Sequence, residues 1–484
     1  MRQTSIKKNF LMNIVLTMSS FIFPFITFPY VSRVLLAEGT GRVAFATSVI
    51  SYFSLFANLG IPTYGIRACA KVRDNKDELT RTSHELLLLN LVSCIITYFA
   101  LAIAIALIPR FYAEKTLLIV ISASIFLGTI GMEWLFKALE QYTYITIRSV
   151  VFKFIALITM LFLVRSEKDY VQYGFISIFA SSASNILNLI NAHKYIGFQP
   201  VGNYNLKKHL KPVGIFFALA CASTIYTHLD VVMLGFMRTN TDVGYYNAAV
   251  KIKTILVSIV TSLGAVVLPR VSYYVENRQM DEFWRICKKA MNFVILLAVP
   301  MTIYFILFAR DGVLLLSGSS FERSVIPMQI IMPTLILIGI TNILGIQILV
   351  PLGREKIVLY SEIAGAMANM IINILLIPKL SSIGAAIGTL AAETVVLIVQ
   401  YYYLRNEVDS LIKSIRWKRI LSATTLATCS CIWTKQLNIG YFLRLMISAF
   451  LFFGIYGLFM LLSKEELLIE MWNQLLNIIH RDKA

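Results

Sequence analysis

His228 and Asp230 stand two residues apart in an otherwise apolar stretch. An imidazole beside a carboxylate can bind and release a coupling proton near neutral pH, or hold a cation. The plainer alternative is that Asp230 pairs with a Lys or Arg of a neighbouring segment. A second set is cationic: Arg33, Arg67, Lys153, Lys251 and Arg270 lie inside apolar stretches or just beyond their ends. A guanidinium offers phosphate two parallel hydrogen bonds, and an ammonium offers a compact point charge. For the arginines the competing role is contact with an interface or headgroup. Lys253 follows Lys251 by about 200° of helical turn, so at most one of the two faces a lumen squarely. Glu133, Glu362 and Glu393 are further acids within apolar stretches. In a bilayer each such group costs roughly 2.5–3.5 kcal/mol on insertion, which implies either a wetted lumen or an ion pair.

Bond-making chemistry finds little support. There is no G-x-x-x-x-G-K-[ST] run to bind ATP and no H-E-x-x-H run to hold zinc. The five histidines are scattered, and the six cysteines lack metal-ligand spacing, so they read as small buried apolar residues. No cofactor, no metal and no enzymatic activity are expected; movement of a solute is. Asn369 and Asn373, one helical turn apart, either hydrogen-bond between helices or meet sugar hydroxyls. Tyr245 and Tyr246 are candidates for stacking on a sugar.

The elements that would position these groups are membrane helices. Of 484 residues, 58% are hydrophobic and 14% charged, against roughly 25% charged in soluble domains. Apolar stretches of about 20 residues recur along the whole chain, each long enough for a roughly 30 Å hydrocarbon core. They do not alternate as barrel strands do, so helices are the remaining way to satisfy the backbone. Fourteen spans are expected, from 10–32 and 43–62 through 212–237 to 417–434 and 440–462. The first is read as a span rather than a cleaved leader. The net charge of +18 is spread over the short connections instead of forming one patch, so no nucleic-acid partner is expected. Lys and Arg concentrate on the side that holds both ends of the chain, which puts the N- and C-termini in the cytoplasm. The segment after Ser463 reads as an interfacial amphipathic helix.

Leu59-Gly60, Asp77-Glu78 and Arg81 recur at one displacement as Leu263-Gly264, Asp281-Glu282 and Arg285. The offset matches six spans, so the two copies share an orientation and form a parallel repeat. The expected domains are a lobe over 1–195, a second over 196–405, and two extra spans with a tail over 406–484.

Several blocks also carry a resemblance. The stretches SYFSLFANLGIPTYGIRACAKVRD (51–74), EWLFKALEQYTYITIRSVVFKFI (133–155), VGYYNAAVKIK (243–253), LPRVS (268–272) and VPLGREKIVLYSEIAGAMANMIINILLIPKL (350–380) resemble Wzx-type polysaccharide repeat-unit flippases, as does SSIGAAIGTLAAETVVLIVQ (381–400). That family is part of the multidrug/oligosaccharidyl-lipid/polysaccharide exporter superfamily. The resemblance implies an all-α integral membrane protein with two six-helix lobes in a V around a cationic cavity, plus two C-terminal helices. It implies a bacterial cytoplasmic membrane and an undecaprenyl-diphosphate-linked oligosaccharide substrate of an O-antigen, capsule or similar pathway. Membrane lipids, and polymerase or glycosyltransferase partners, go with that substrate. Transport would run by alternating access, coupled to an ion gradient or the membrane potential. Arg33 in SRVLLAEG looks like a cavity arginine of the related lipid II flippase, and Arg67 in YGIR is a second candidate. The alternative is a MATE-like exporter of small molecules. An acid-rich cavity would suit cationic drugs, yet no Asp or Glu precedes Glu38.

Overall fold

The computed structural model describes residues 6–413 and 415–465, and its regular elements are all helical. The amphipathic helix expected after Ser463 falls almost wholly outside the described residues. The chain divides into two compact units, Met1–Gly244 and Tyr245–Ala484. The first contains α1 (Ile6–Asn58), α2 (Ile61–Lys71), α3 (Lys76–Leu107), α4 (Pro109–Ala113), α5 (Lys115–Ile130), α6 (Glu133–Ala138), α7 (Tyr142–Leu163), α8 (Tyr170–Ile178), α9 (Asn185–Ala192) and α10 (Lys207–Met237). The helix α11 (Asn240–Glu276) begins in it and continues into the second unit. There follow α12 (Met280–Leu307), α13 (Ala309–Ser317), α14 (Val325–Ile331), α15 (Thr334–Asn342), α16 (Glu355–Leu380), α17 (Ser382–Lys413), α18 (Trp417–Cys431) and α19 (Tyr441–Leu462). The first unit runs on past 195 to take in α10, which packs on α1 and α2.

Among the described residues, ten helices are long and apolar enough to cross a membrane, or eleven if the bent pair Ser319–Ile331 and Thr334–Leu349 is one span. The expected number of about fourteen is reached only by dividing the first long helix at its kink and adding the shorter α5 and α18. The kink has a definite place. Pro24 and Pro29 lie inside α1, and Leu36 adopts φ 56° and ψ −171°. That left-handed φ is costly for a side chain larger than glycine. The hydroxyl of Thr40 donates to the Leu36 carbonyl at the break, 2.8 Å away, which helps a bent helix survive in a medium without water.

Hydrocarbon gives helices no hydrophobic reason to associate, because lipid tails are as apolar as leucine. Close packing and hydrogen bonds must do it. In the first unit α1 packs against α3, α5, α7 and α10. One apolar core joins Ile61 and Cys69 of α2, Leu79 and Leu86 of α3, Trp134 and Phe136 of α6, and Ile145 of α7. In the second unit α16 lies along α17, α18 along α19, and α12 against α15. The last helix, α19, is secured to this unit by an ion pair, Arg444 Nη1 to Asp311 Oδ1 at 2.7 Å. Hydrogen bonds from Tyr304 to Ser448 and from Tyr456 to the Leu296 carbonyl add to it. Large apolar side chains such as Phe99, Phe154, Phe162 and Phe450 point outward, as a lipid-facing surface requires.

Glycines allow close approach of spans in both units. A Cβ on Gly131, where α5 ends, would lie 2.5 Å from the Asn185 side chain of α9. A Cβ on Gly345, in the π-helical segment after α15, would lie 3.1 Å from Gln400 Nε2 of α17. Each unit thus sets a glycine of one span against the amide side chain of a span two further on.

The closest backbone approach in the first unit is at Gly41, where a Cβ would lie 1.8 Å from the Asn240 carbonyl oxygen. Gly41→Val should lower stability by about 1–3 kcal/mol through overpacking, read as a drop in the melting temperature of the detergent-purified chain. Gly128→Ala is the control, since nothing lies within 4 Å of its Cβ position, and its melting temperature should not move.

Candidate functional site

One cluster of charge in the first unit lies at the junction of α6, α7, α9 and α1. Met132 turns left-handed at φ 41°, ending the run of α5 and starting α6 at Glu133. One turn later comes Lys137, whose Nζ lies 2.8 Å from Glu133 Oε1. Across from them on α7, Arg148 is almost fully enclosed. Its Nη1 donates to Ser184 Oγ at 2.9 Å and to Asn185 Oδ1 at 3.0 Å, while Nη2 stands 3.4 Å from Glu133 Oε2. Its Nε has no acceptor among the described residues. The π-helical turn Phe179–Ala183 directly precedes Ser184 and Asn185. An extra residue per turn of this kind re-aims the side chains that follow it. Lys153, further along α7, donates to Ser19 Oγ and Ser20 Oγ of α1, both at 2.9 Å.

The remaining sequence candidates fall into separate places. His228 and Asp230 both sit on α10, and His228 faces α1. His228 Nδ1 lies 3.3 Å from Ser48 Oγ, and its ring is 6.5 Å from that of Tyr52. Asp230 is buried and within electrostatic reach of the same tyrosine. Arg33 sits on the short piece of α1 between Pro29 and the break at Leu36, exposed, with Nη1 donating to the Pro29 carbonyl at 2.6 Å. Arg67 is exposed on α2. In the second unit Lys251 is half-buried near the start of α11, and Arg270 is exposed after Pro269 near its end. At 1.5 Å per residue they lie roughly 28 Å apart along that helix, so one small ligand does not touch both.

Three candidates for sugar contact are enclosed instead. Asn373 Nδ2 donates to Asn369 Oδ1 at 3.0 Å, both side chains buried where α16 meets Gly388 of α17. Tyr246 is buried with its hydroxyl 2.7 Å from Thr389 Oγ1, so it has no open face for a sugar ring.

Several charged groups escaped notice in the sequence. Arg148 falls near a span end, where a cation reads as interfacial. Glu114 lies in what reads as a connection, yet it is buried beside Arg42 Nη1 at 3.2 Å and accepts from Asn240 Nδ2 at 3.0 Å. Glu85, at the start of a span, is fully buried. It accepts from the Asn205 backbone N–H at 2.7 Å, Lys208 Nζ at 2.7 Å and His209 Nε2 at 2.9 Å. His209 Nδ1 meets the Tyr64 hydroxyl at 2.8 Å. With His84 Nε2 on the Gly197 carbonyl at 2.8 Å, this cluster binds the connection before α10 to the first turns of α3. The only signal available was the presence of a Glu-rich span start and two histidines with no assigned role.

These features define a polytopic α-helical membrane protein that carries paired and hydroxyl-bound charges inside its spans. Residues 6–275, more than half of the chain, match the family described as polysaccharide biosynthesis protein, and the chain belongs to that family. A protein of Escherichia coli (strain K12) named "Putative O-antigen transporter" is 26% identical over 406 residues, covering 83% of this chain and 97% of its own length. Among solved structures, the lipid II flippase MurJ in an inward closed conformation superposes with a TM-score of 0.71 at 16% identity, covering 93% of this chain and 98% of that one. An inward-facing MATE family multidrug transporter gives 0.60 at 14% identity, covering 84% and 99%. At such identities the structural matches speak for the fold. Together with the family they bear out the resemblance to Wzx-type flippases.

Glu85→Ala would strand His209 in a buried site without its carboxylate. Breaking a buried pair in this way costs about 3–5 kcal/mol. The expected result is a large fall in melting temperature in detergent, with a smaller fall for Glu85→Gln, which keeps an acceptor for Asn205 and His209.

Proposed function

We infer that the chain is a flippase that moves undecaprenyl-diphosphate-linked oligosaccharide repeat units from the inner to the outer leaflet of a bacterial cytoplasmic membrane. The carrying observation is Lys153, a cation deep in a span of a polysaccharide-biosynthesis family member. Its hydrogen bonds go to the neutral hydroxyls of Ser19 and Ser20, which leaves its charge available to an anion. The name of the Escherichia coli relative and the fold shared with a lipid II flippase support the same reading.

A diphosphate bearing sugars cannot cross hydrocarbon unaided. In this mechanism cations replace water around the phosphates while the polyprenyl tail stays in lipid, and two lobes, 1–195 and 196–405, rock to expose the site alternately on either side. Arg33, Arg67 and Lys153 contribute from the first lobe, Lys251 and Arg270 from the second. His228 and Asp230 couple the cycle to an ion gradient or the potential. Both termini are cytoplasmic, and polymerase or glycosyltransferase partners handle the glycan on either side of the step. The MATE-like alternative wants acids free to meet a cationic drug; here Glu85, Glu114 and Glu133 each already face a base.

Arg33→Ala should abolish complementation of a flippase-deficient strain while leaving the amount of protein in the membrane unchanged. Full complementation would remove Arg33 from the substrate path. Asp230→Asn should leave transport insensitive to ionophores that collapse the proton or sodium gradient, measured in proteoliposomes. A wild-type response to those ionophores would exclude Asp230 from coupling.

A further inference from the structure

Glu133 stands between two cations, and its two contacts are unequal. Lys137 is held at 2.8 Å, while Arg148 is reached only at 3.4 Å through Nη2. The side-on fork of a guanidinium is made of Nε and Nη2, and it fits a carboxylate with two parallel bonds. In Arg148 that fork is half-made: Nη2 has its long contact and Nε has no acceptor among the described residues. The other edge is fully engaged through Nη1 with Ser184 and Asn185, so Arg148 is fixed and cannot move to improve the fit. Its side chain is only 3% exposed. Glu133 and Lys137, by contrast, keep 37% and 33% of their side-chain surface open. Lys153 lies within electrostatic reach of Glu133.

We propose that Glu133 is a resident counter-anion with two seats. With the site empty it occupies Lys137. When a diphosphate arrives, the phosphate oxygens take Lys137 and Lys153, and the Glu133 carboxylate moves the short distance into the open Nε/Nη2 fork of Arg148. The exchange keeps the buried arginine neutralised in both states and lets the phosphate leave again, because Glu133 competes for Lys137. No bond is made or broken. This inference rests on the diphosphate reading given above.

The test uses the full-length chain in nanodiscs with farnesyl diphosphate as the probe and farnesol as the control. Glu133→Gln removes the competitor and should tighten farnesyl diphosphate binding about fivefold, while slowing release. The gain should vanish when Lys137→Gln is added. Arg148→Lys keeps the charge but removes the fork, so Glu133 stays on Lys137 and binding should weaken. If Glu133→Gln does not fold, Glu133→Asp shortens the reach to Lys137 and should still tighten binding. Wild-type binding of farnesyl diphosphate over farnesol, with unchanged or weaker binding by the Glu133 variant, overturns this proposal alone. Equal wild-type binding of the two probes overturns the diphosphate reading and this proposal with it.

Discussion

The structure depends on one constraint: a charge placed among apolar helices must be compensated there, because the surrounding hydrocarbon offers no water. The first unit meets it in two ways. Its buried acids Glu85 and Glu114 are set against bases and backbone or amide donors, and the half-buried Glu133 against two bases. Its most deeply placed lysine, Lys153, is held by serine hydroxyls, which orient the ammonium without neutralising it. Paired charges define position.

Irregular backbone serves the same end. The left-handed Met132 creates a separate α6 and so puts Glu133 and Lys137 beside α7. The π-helical turn at 179–183 delivers Ser184 and Asn185 to Arg148. The break at Leu36 isolates the segment carrying Arg33 from the part of α1 that carries Ser48 and Tyr52 against α10. Straight helices would satisfy the backbone more simply. These interruptions occur where a polar group has to be aimed, and the strain at Leu36 and Met132 is borne by the packing around them.

Glycine contacts bring spans close together in each unit. A Cβ at Gly131 would lie 2.5 Å from the Asn185 side chain, and one at Gly345 would lie 3.1 Å from Gln400 Nε2. A side chain at either glycine would push the facing amide away. Asn185 accepts from Arg148, whose Nη2 stands near Glu133, while Gln400 donates to Ser361.

Sequence alone determined the helical membrane class, because long apolar runs leave a chain no other way to satisfy its backbone in lipid. It also singled out Lys153 and Asp230, since any charge inside an apolar run stands out in one dimension. It did not reveal Arg148, Glu85 or Glu114, whose positions near span ends look like ordinary interfacial charges. For Asn369 and Asn373 it left contact between helices and contact with sugar side by side, and it did not reveal that Tyr246 is enclosed against α17. Those matters were decided by tertiary structure for a physical reason. Whether a polar group is paired, enclosed or open depends on which helices meet it, and where a helix breaks and turns is set by packing between residues far apart in the chain.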